Sequence, residues 1–136
     1  MRVDAHHYAP EPGGKPALII PHFEDGRLQD LVAVGLATRA SRSRMGICSA
    51  LGTNFIEKAR EMETPLRLFA DPIQWIKHRR HGACIIDWHL AHYILADLPA
   101  GIESEGGELL AAKVRKALDR PSRIPPIFVR ETANAA

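Results

Sequence analysis

The chain has 136 residues, 46% of them hydrophobic and 25% charged, with a formal net charge of +2. That is enough for one hydrophobic core without a metal or disulfide staple, and the total charge is too small to identify a partner. No stretch approaches the roughly 20 apolar residues of a membrane-spanning helix.

Residues 1–16 hold three prolines and two glycines and read as a flexible N-terminal arm. The adjacent His6 and His7 in it are too few to hold a metal. Ordered structure is expected from Ala17. The apolar run 17–23 leads into Asp25-Gly26, a strong hairpin signal, with a return strand over 28–36. Alternation in the return strand is imperfect, so it is either covered on both faces or bulged. A basic loop over 38–44 follows, then a third strand over 45–51 closed by Gly52, completing an antiparallel meander. Residues 54–62 read as a helix capped by Asn54, with Glu57 as a capping-box partner and Phe55, Ile56, Ala59 and Met62 on its apolar side.

From residue 66 the pattern alternates strand and helix. A short strand over 66–69 precedes Asp71-Pro72, which has an N-cap residue followed by the residue best suited to the first helical position. Ile73, Trp75 and Ile76 supply the apolar side. The cations over 77–81 suit the helix C-terminus, and Gly82 suits the position after it. The run 83–87 is continuously apolar up to Asp87, as for a strand buried on both faces. A helix over 89–98, with Leu90, Ile94, Leu95 and Leu98 inward, leads to a short strand over 101–104. Residues 107–118 form the clearest amphipathic helix, with Leu109, Leu110, Val114, Ala117 and Leu118 on one side. A last strand is expected over 127–130 and a frayed tail over 131–136. The fold class is α/β with α+β as the alternative: an N-terminal antiparallel meander, then β-α-β-α-β-α-β. It forms a single domain over 17–130, two- or three-layered.

Residues 27–80 carry ten Lys/Arg against five Asp/Glu. Two clusters, Arg39, Arg42 and Arg44, and Lys77, Arg79 and Arg80, are the candidate nucleic-acid surface, with Trp75 or Trp88 available to stack on a base. Asp87 ends the most apolar strand, where α/β sheets hold their sites. With His89 and His92 it is a candidate metal set, the two histidines being three apart on a helix, although a closed structural site needs further ligands. Asp87 can equally cap the next helix. Cys48 and Cys84 sit in apolar runs and read as buried free thiols rather than a disulfide. No catalytic motif and no phosphate-binding glycine loop is found, and no cofactor is implied. The start of the chain lacks a leader-like apolar segment, so a cytoplasmic location is expected.

The stretches 26–33, 70–76, 82–88 and 125–129 resemble a group of short uncharacterised bacterial proteins of prophages, plasmids and integrated elements, encoded near primase and helicase genes. The resemblance implies a mobile-element setting and a replication-related role, and it transfers no functional residue. The leading expectation is a small non-enzymatic accessory protein that binds a macromolecular partner, nucleic acid or a replication protein. A metal-binding protein or enzyme using Asp87, His89 and His92 is the second. A homo-oligomeric interaction module, pairing through an exposed sheet edge, is the third.

Overall fold

The computed structural model describes residues 2–3, 8–9, 12–119 and 128–129. Strands β1 (Arg2–Val3) and β2 (Tyr8–Ala9) pair antiparallel. The next three strands, β3 (Ala17–Glu24), β4 (Arg27–Gly35) and β5 (Ser41–Ser43), form an antiparallel sheet in the order β3-β4-β5. Its hairpin turns on Asp25 (φ 49) and Gly26 (φ 73), the paired left-handed residues of the turn that matches strand twist. Register shifts between His22 and Phe23, which face Asp30 and Leu28, so Gln29 is the extra residue of a bulge. This accounts for the broken alternation of the return strand.

A second sheet is built from β6 (Ala50–Leu51), β7 (Leu66–Phe69), β8 (Ala83–Ile85) and β9 (Ile102–Ser104), in the order β6-β8-β7-β9. β7 runs parallel to both β8 and β9, and β6 is the antiparallel edge. Period-two alternation sorts its side chains between two cores. Ala50, Leu66, Leu68, Ala83 and Ile85 pack with Ile56 and Ala59 of α1 (Thr53–Met62), Ala91 of α3 (Ala91–Ile94), its C-cap Leu95, and Leu110 and Val114 of α4 (Gly107–Leu118). Leu51, Phe69, Cys84 and Ile86 pack on the other side with Trp75 of α2 (Pro72–Lys77) and with Ile20, Val32 and Val34 of the first sheet. The molecule is therefore mixed α/β in three layers: helices, central sheet, then α2 with the antiparallel sheet.

Several sequence expectations are corrected. The third strand of the first sheet is β5, inside the expected basic loop, and residues 45–48 are not a strand. The cause is Asp30. Its carboxylate accepts from the backbone N–H groups of Leu31, Met45, Ile47 and Cys48, which ties that segment into a turn. Ala50–Leu51 then joins the central sheet instead. Helix α1 begins one residue early, its N-cap is Gly52 in the left-handed region, and no side chain caps it, so the Asn54 capping box does not form. The expected helix over 89–98 is a 3-10 turn (Trp88–Leu90) followed by the single turn of α3, and Leu90 is exposed. On α4, Leu109 is 89% exposed and only Leu110 and Val114 are buried. In the expected free arm, Tyr8 is only 6% exposed and its strand is paired. His6, His7 and the tail 131–136 lie outside the described residues. Of 127–130 only Phe128 and Val129 are described, exposed and in no strand.

Candidate functional site

The two ends of the parallel strands differ in chemistry. At the carboxyl end, β7 sends the chain to α2 on one face of the sheet and its neighbour β8 sends it to α3 on the other. Such a divergence opens a crevice between adjacent strands. Asp71 stands just past β7. Its Oδ1 accepts from the N–H groups of Ile73 (2.9 Å) and Gln74 (3.0 Å), capping α2 ahead of Pro72 as the sequence implies. Arg39 Nη1 lies 3.4 Å from the same oxygen, which brings the loop before β5 over this end. Past β8, the backbone N–H groups of Ile86 and Asp87 both donate to Ser49 O.

Asp87 takes the capping role: Oδ1 accepts from His89 N at 3.0 Å. His92 packs its ring 4.0 Å from that of Tyr93. Among the described residues no group of three or more His, Cys, Asp or Glu is gathered to hold a metal ion, so Asp87, His89 and His92 are not brought together as a ligand set. The expectation of a helix, on which His89 and His92 would share a face, fails at the 3-10 turn.

Arg42 Nη1 donates to its own neighbour Ser41 O (2.7 Å), and the Nζ of Lys113 on α4 lies 4.2 Å from the centre of the Trp88 ring. Arg42 Nε is buried without a hydrogen-bond partner among the described residues. Burial pushes the Lys113 ammonium below its ordinary range. Cys84 opposes that shift, and the Arg42 guanidinium adds to it. Sequence reading missed Lys113. Its one signal was position: it stands beside Val114 at the edge of the apolar stripe, where a lysine lays its stem on the core and carries its charge outward.

At the amino end the order is made by backbone. Gly52 takes φ 74 against Gly82, where a Cβ would run into Gly82 O, and Gly82 packs on Arg67 O and the Phe69 ring. Gly82 therefore serves close packing and is not the helix stop. The stop is Arg79: its N–H donates to Ile76 O and that of Arg80 to Trp75 O, the paired bonds of a Schellman motif. Arg79 (φ 57) and Arg80 (φ 60) are both left-handed, a conformation that costs a non-glycine residue about 1 kcal/mol or more. Lys77, His78, Arg79, Arg80 and His81 are all exposed. Among the described residues none of Lys77, Arg79 and Arg80 pairs with a carboxylate. Beside them a groove of about 530 Å³ is lined by Phe55, Lys58, Arg67 and His81, among others. Lys58 and Arg67 were missed in the sequence because α1 and β7 bring them here from separate segments.

The two basic clusters thus lie at opposite ends of α2 and of the sheet. Arg44 is exposed and hydrogen-bonded to the Tyr8 side chain. Trp75 cannot stack on a base: it is buried and donates Nε1–H to Gly82 O at 3.0 Å. Trp88 carries Lys113 on its ring. Cys48 and Cys84 are free and buried, and burial pushes the Cys48 thiol up to about 12 and the Cys84 thiol higher still. Neither is a thiolate near neutral pH. Set against known protein families, curated proteins and solved structures, the chain matches none. No helix among the described residues is long and apolar enough to cross a membrane.

Proposed function

We propose that this protein is an accessory protein of a mobile element that binds nucleic acid, gripping the phosphate backbone with the basic knuckle at the end of α2. The observation that carries the reading is the pair Arg79 and Arg80, exposed, without carboxylate partners and both in left-handed backbone. Glycine would suit the Arg79 position better for stability. A side chain kept there at a conformational cost points to a use for its charge. Lys77 and the groove residue Lys58 extend the surface, while Arg67 is engaged with Glu105 at 3.0 Å. With Trp75 buried, the contact is electrostatic rather than base-stacking, which favours duplex over single strands. The resemblance to proteins encoded beside primase and helicase genes agrees with this role.

Titrating labelled duplex and single-stranded DNA across a range of salt tests it. Affinity is expected to fall linearly on logarithmic axes with salt. Replacing Arg79 and Arg80 together by glutamine should lower the slope by about two. Absence of binding at low salt, or an unchanged slope in the double variant, would overturn the reading.

A further inference from the structure

We propose that the open edge of β3 pairs antiparallel with β3 of a second copy of this chain, joining two three-stranded sheets into one across a two-fold axis at Ile19. The direction of the hydrogen bonds shows what that edge offers. In β4, Gly35 N donates to Ala40 O and Leu31 O accepts from Arg44 N, so these odd-numbered residues are bonded towards β5. Val32 and Val34, between them, are bonded towards β3, where they stand opposite Ile20 and Leu18. The backbone groups of Ala17, Ile19 and Pro21 therefore point away from the sheet. Among the described residues no strand pairs with that side.

The edge fits its own copy. From Ala17 to Pro21 it carries no charged side chain, and Leu18, Ile19 and Pro21 are exposed. Edges of this kind are normally blunted by lysine, an inward-pointing charge or proline. Here only Pro21 is present, and its missing N–H lies on the outward side. Antiparallel pairing about Ile19 makes use of what remains. The Ile19 residues of the two copies exchange both N–H···O bonds, and each Ala17 N–H meets the C=O of the other copy's Pro21, which leaves only Ala17 O short of a donor. Side chains then meet as apolar pairs. Leu18 faces Ile20 of the other copy on the core side, and Ile19, 45% exposed, faces its counterpart on the outside. Charge favours the same direction. Lys15 precedes the strand, and Glu24 and Asp25 against Arg27 leave its hairpin end acidic. Antiparallel pairing sets each Lys15 end at the partner's hairpin end, whereas parallel pairing would set like ends together. A two-fold contact closes on itself, so association stops at the dimer. One strand's width is a small interface, so the dimer dissociates on dilution.

Sedimentation of the whole chain across a dilution series tests this. The species should shift from one chain of 15.0 kDa to two as concentration rises. Ile19→Lys sets two like charges together at the axis and should weaken the dimer about a hundredfold. Ile19→Pro removes only the outward N–H and should weaken it about tenfold. Circular dichroism checks the fold of both, and the lysine variant carries the test if the proline variant unfolds. Leu28→Lys lies on the same outer face but one strand in from the edge, and should dimerise as the parent does. So should the double replacement of Arg79 and Arg80, because the pairing is independent of the nucleic-acid knuckle. Amide hydrogen exchange supplies a second reading: the N–H groups of Ala17 and Ile19 should be protected at high concentration and exchange freely on dilution. A monomer at every concentration, parental affinity in Ile19→Lys, or an equal loss in Leu28→Lys would overturn the proposal. So would protection of Ile19 that survives dilution, since another segment of the same chain would then cover the edge.

Discussion

The carboxyl and amino ends of the central strands both carry cations and use them in opposite ways. At the carboxyl end, side chains make the structure. Asp71 and Asp87 cap the segments that leave the sheet, Asp30 folds the loop that enters β6, and Arg39 is drawn onto Asp71. At the amino end the backbone makes it, through the Gly52–Gly82 approach and the Schellman bonds of Arg79 and Arg80. That leaves Lys77, Arg79 and Arg80 to solvent. A basic cluster in a sequence is thus a surface only where some other group does the structural work.

Substitutions can break or sharpen this contrast. The largest effect is expected from Gly52→Ala, which forces a Cβ into Gly82 O in a left-handed backbone. It should cost about 3–5 kcal/mol, read from the denaturant midpoint, and should open the amino end first. Asp30→Ala comes next, leaving the N–H groups of Leu31, Met45, Ile47 and Cys48 without their acceptor, at a cost of about 3 kcal/mol.

The same residue sets an acid limit. Burial opposes the charge of Asp30, but the N–H groups of Cys48, Met45, Leu31 and Ile47 outweigh it and hold the carboxyl below its usual value. A folded value below the unfolded one contributes stability above about pH 4, lost as pH falls through the folded value. Acid unfolding should therefore be shallower in Asp30→Ala than in the parent, followed by circular dichroism.

Asp71→Ala removes the α2 cap and releases Arg39, making the carboxyl end resemble the amino end. About 1–2 kcal/mol of lost stability is expected, measured by thermal unfolding. The smallest change, Arg79→Gly, should stabilise by about 1 kcal/mol while weakening DNA binding. A gain in stability without loss of binding would count against the role given to the knuckle.

Much of the fold was legible because its signals are local. The Asp25-Gly26 turn, the Asp71-Pro72 cap, the buried run at 83–85 and the bounds of α4 each depend on a few neighbouring residues. Periodicity and capping act over one or two turns, so a linear reading recovers them. The exposure of Leu109 escaped that reading, since an apolar stripe is wider than the surface its partners offer.

Of the candidate site the sequence revealed the residue types and not their grouping. Asp87 was placed correctly at the end of a buried strand, but its role as a cap was one of two open readings. The separation of the two arginine-rich clusters, the arrival of Lys113 over Trp88 and the convergence of Lys58 with His81 all join residues far apart in the chain. What the sequence determined by itself was the order of elements, the hairpin and the helix starts. Tertiary structure alone decided that Asp30 would reach residues 45–48 and unmake an expected strand, and that two glycines 30 positions apart would meet. The physical reason is range: hydrophobic period and caps are written within a helix turn or a strand pair, whereas a buried carboxylate chooses its donors only after the layers have packed.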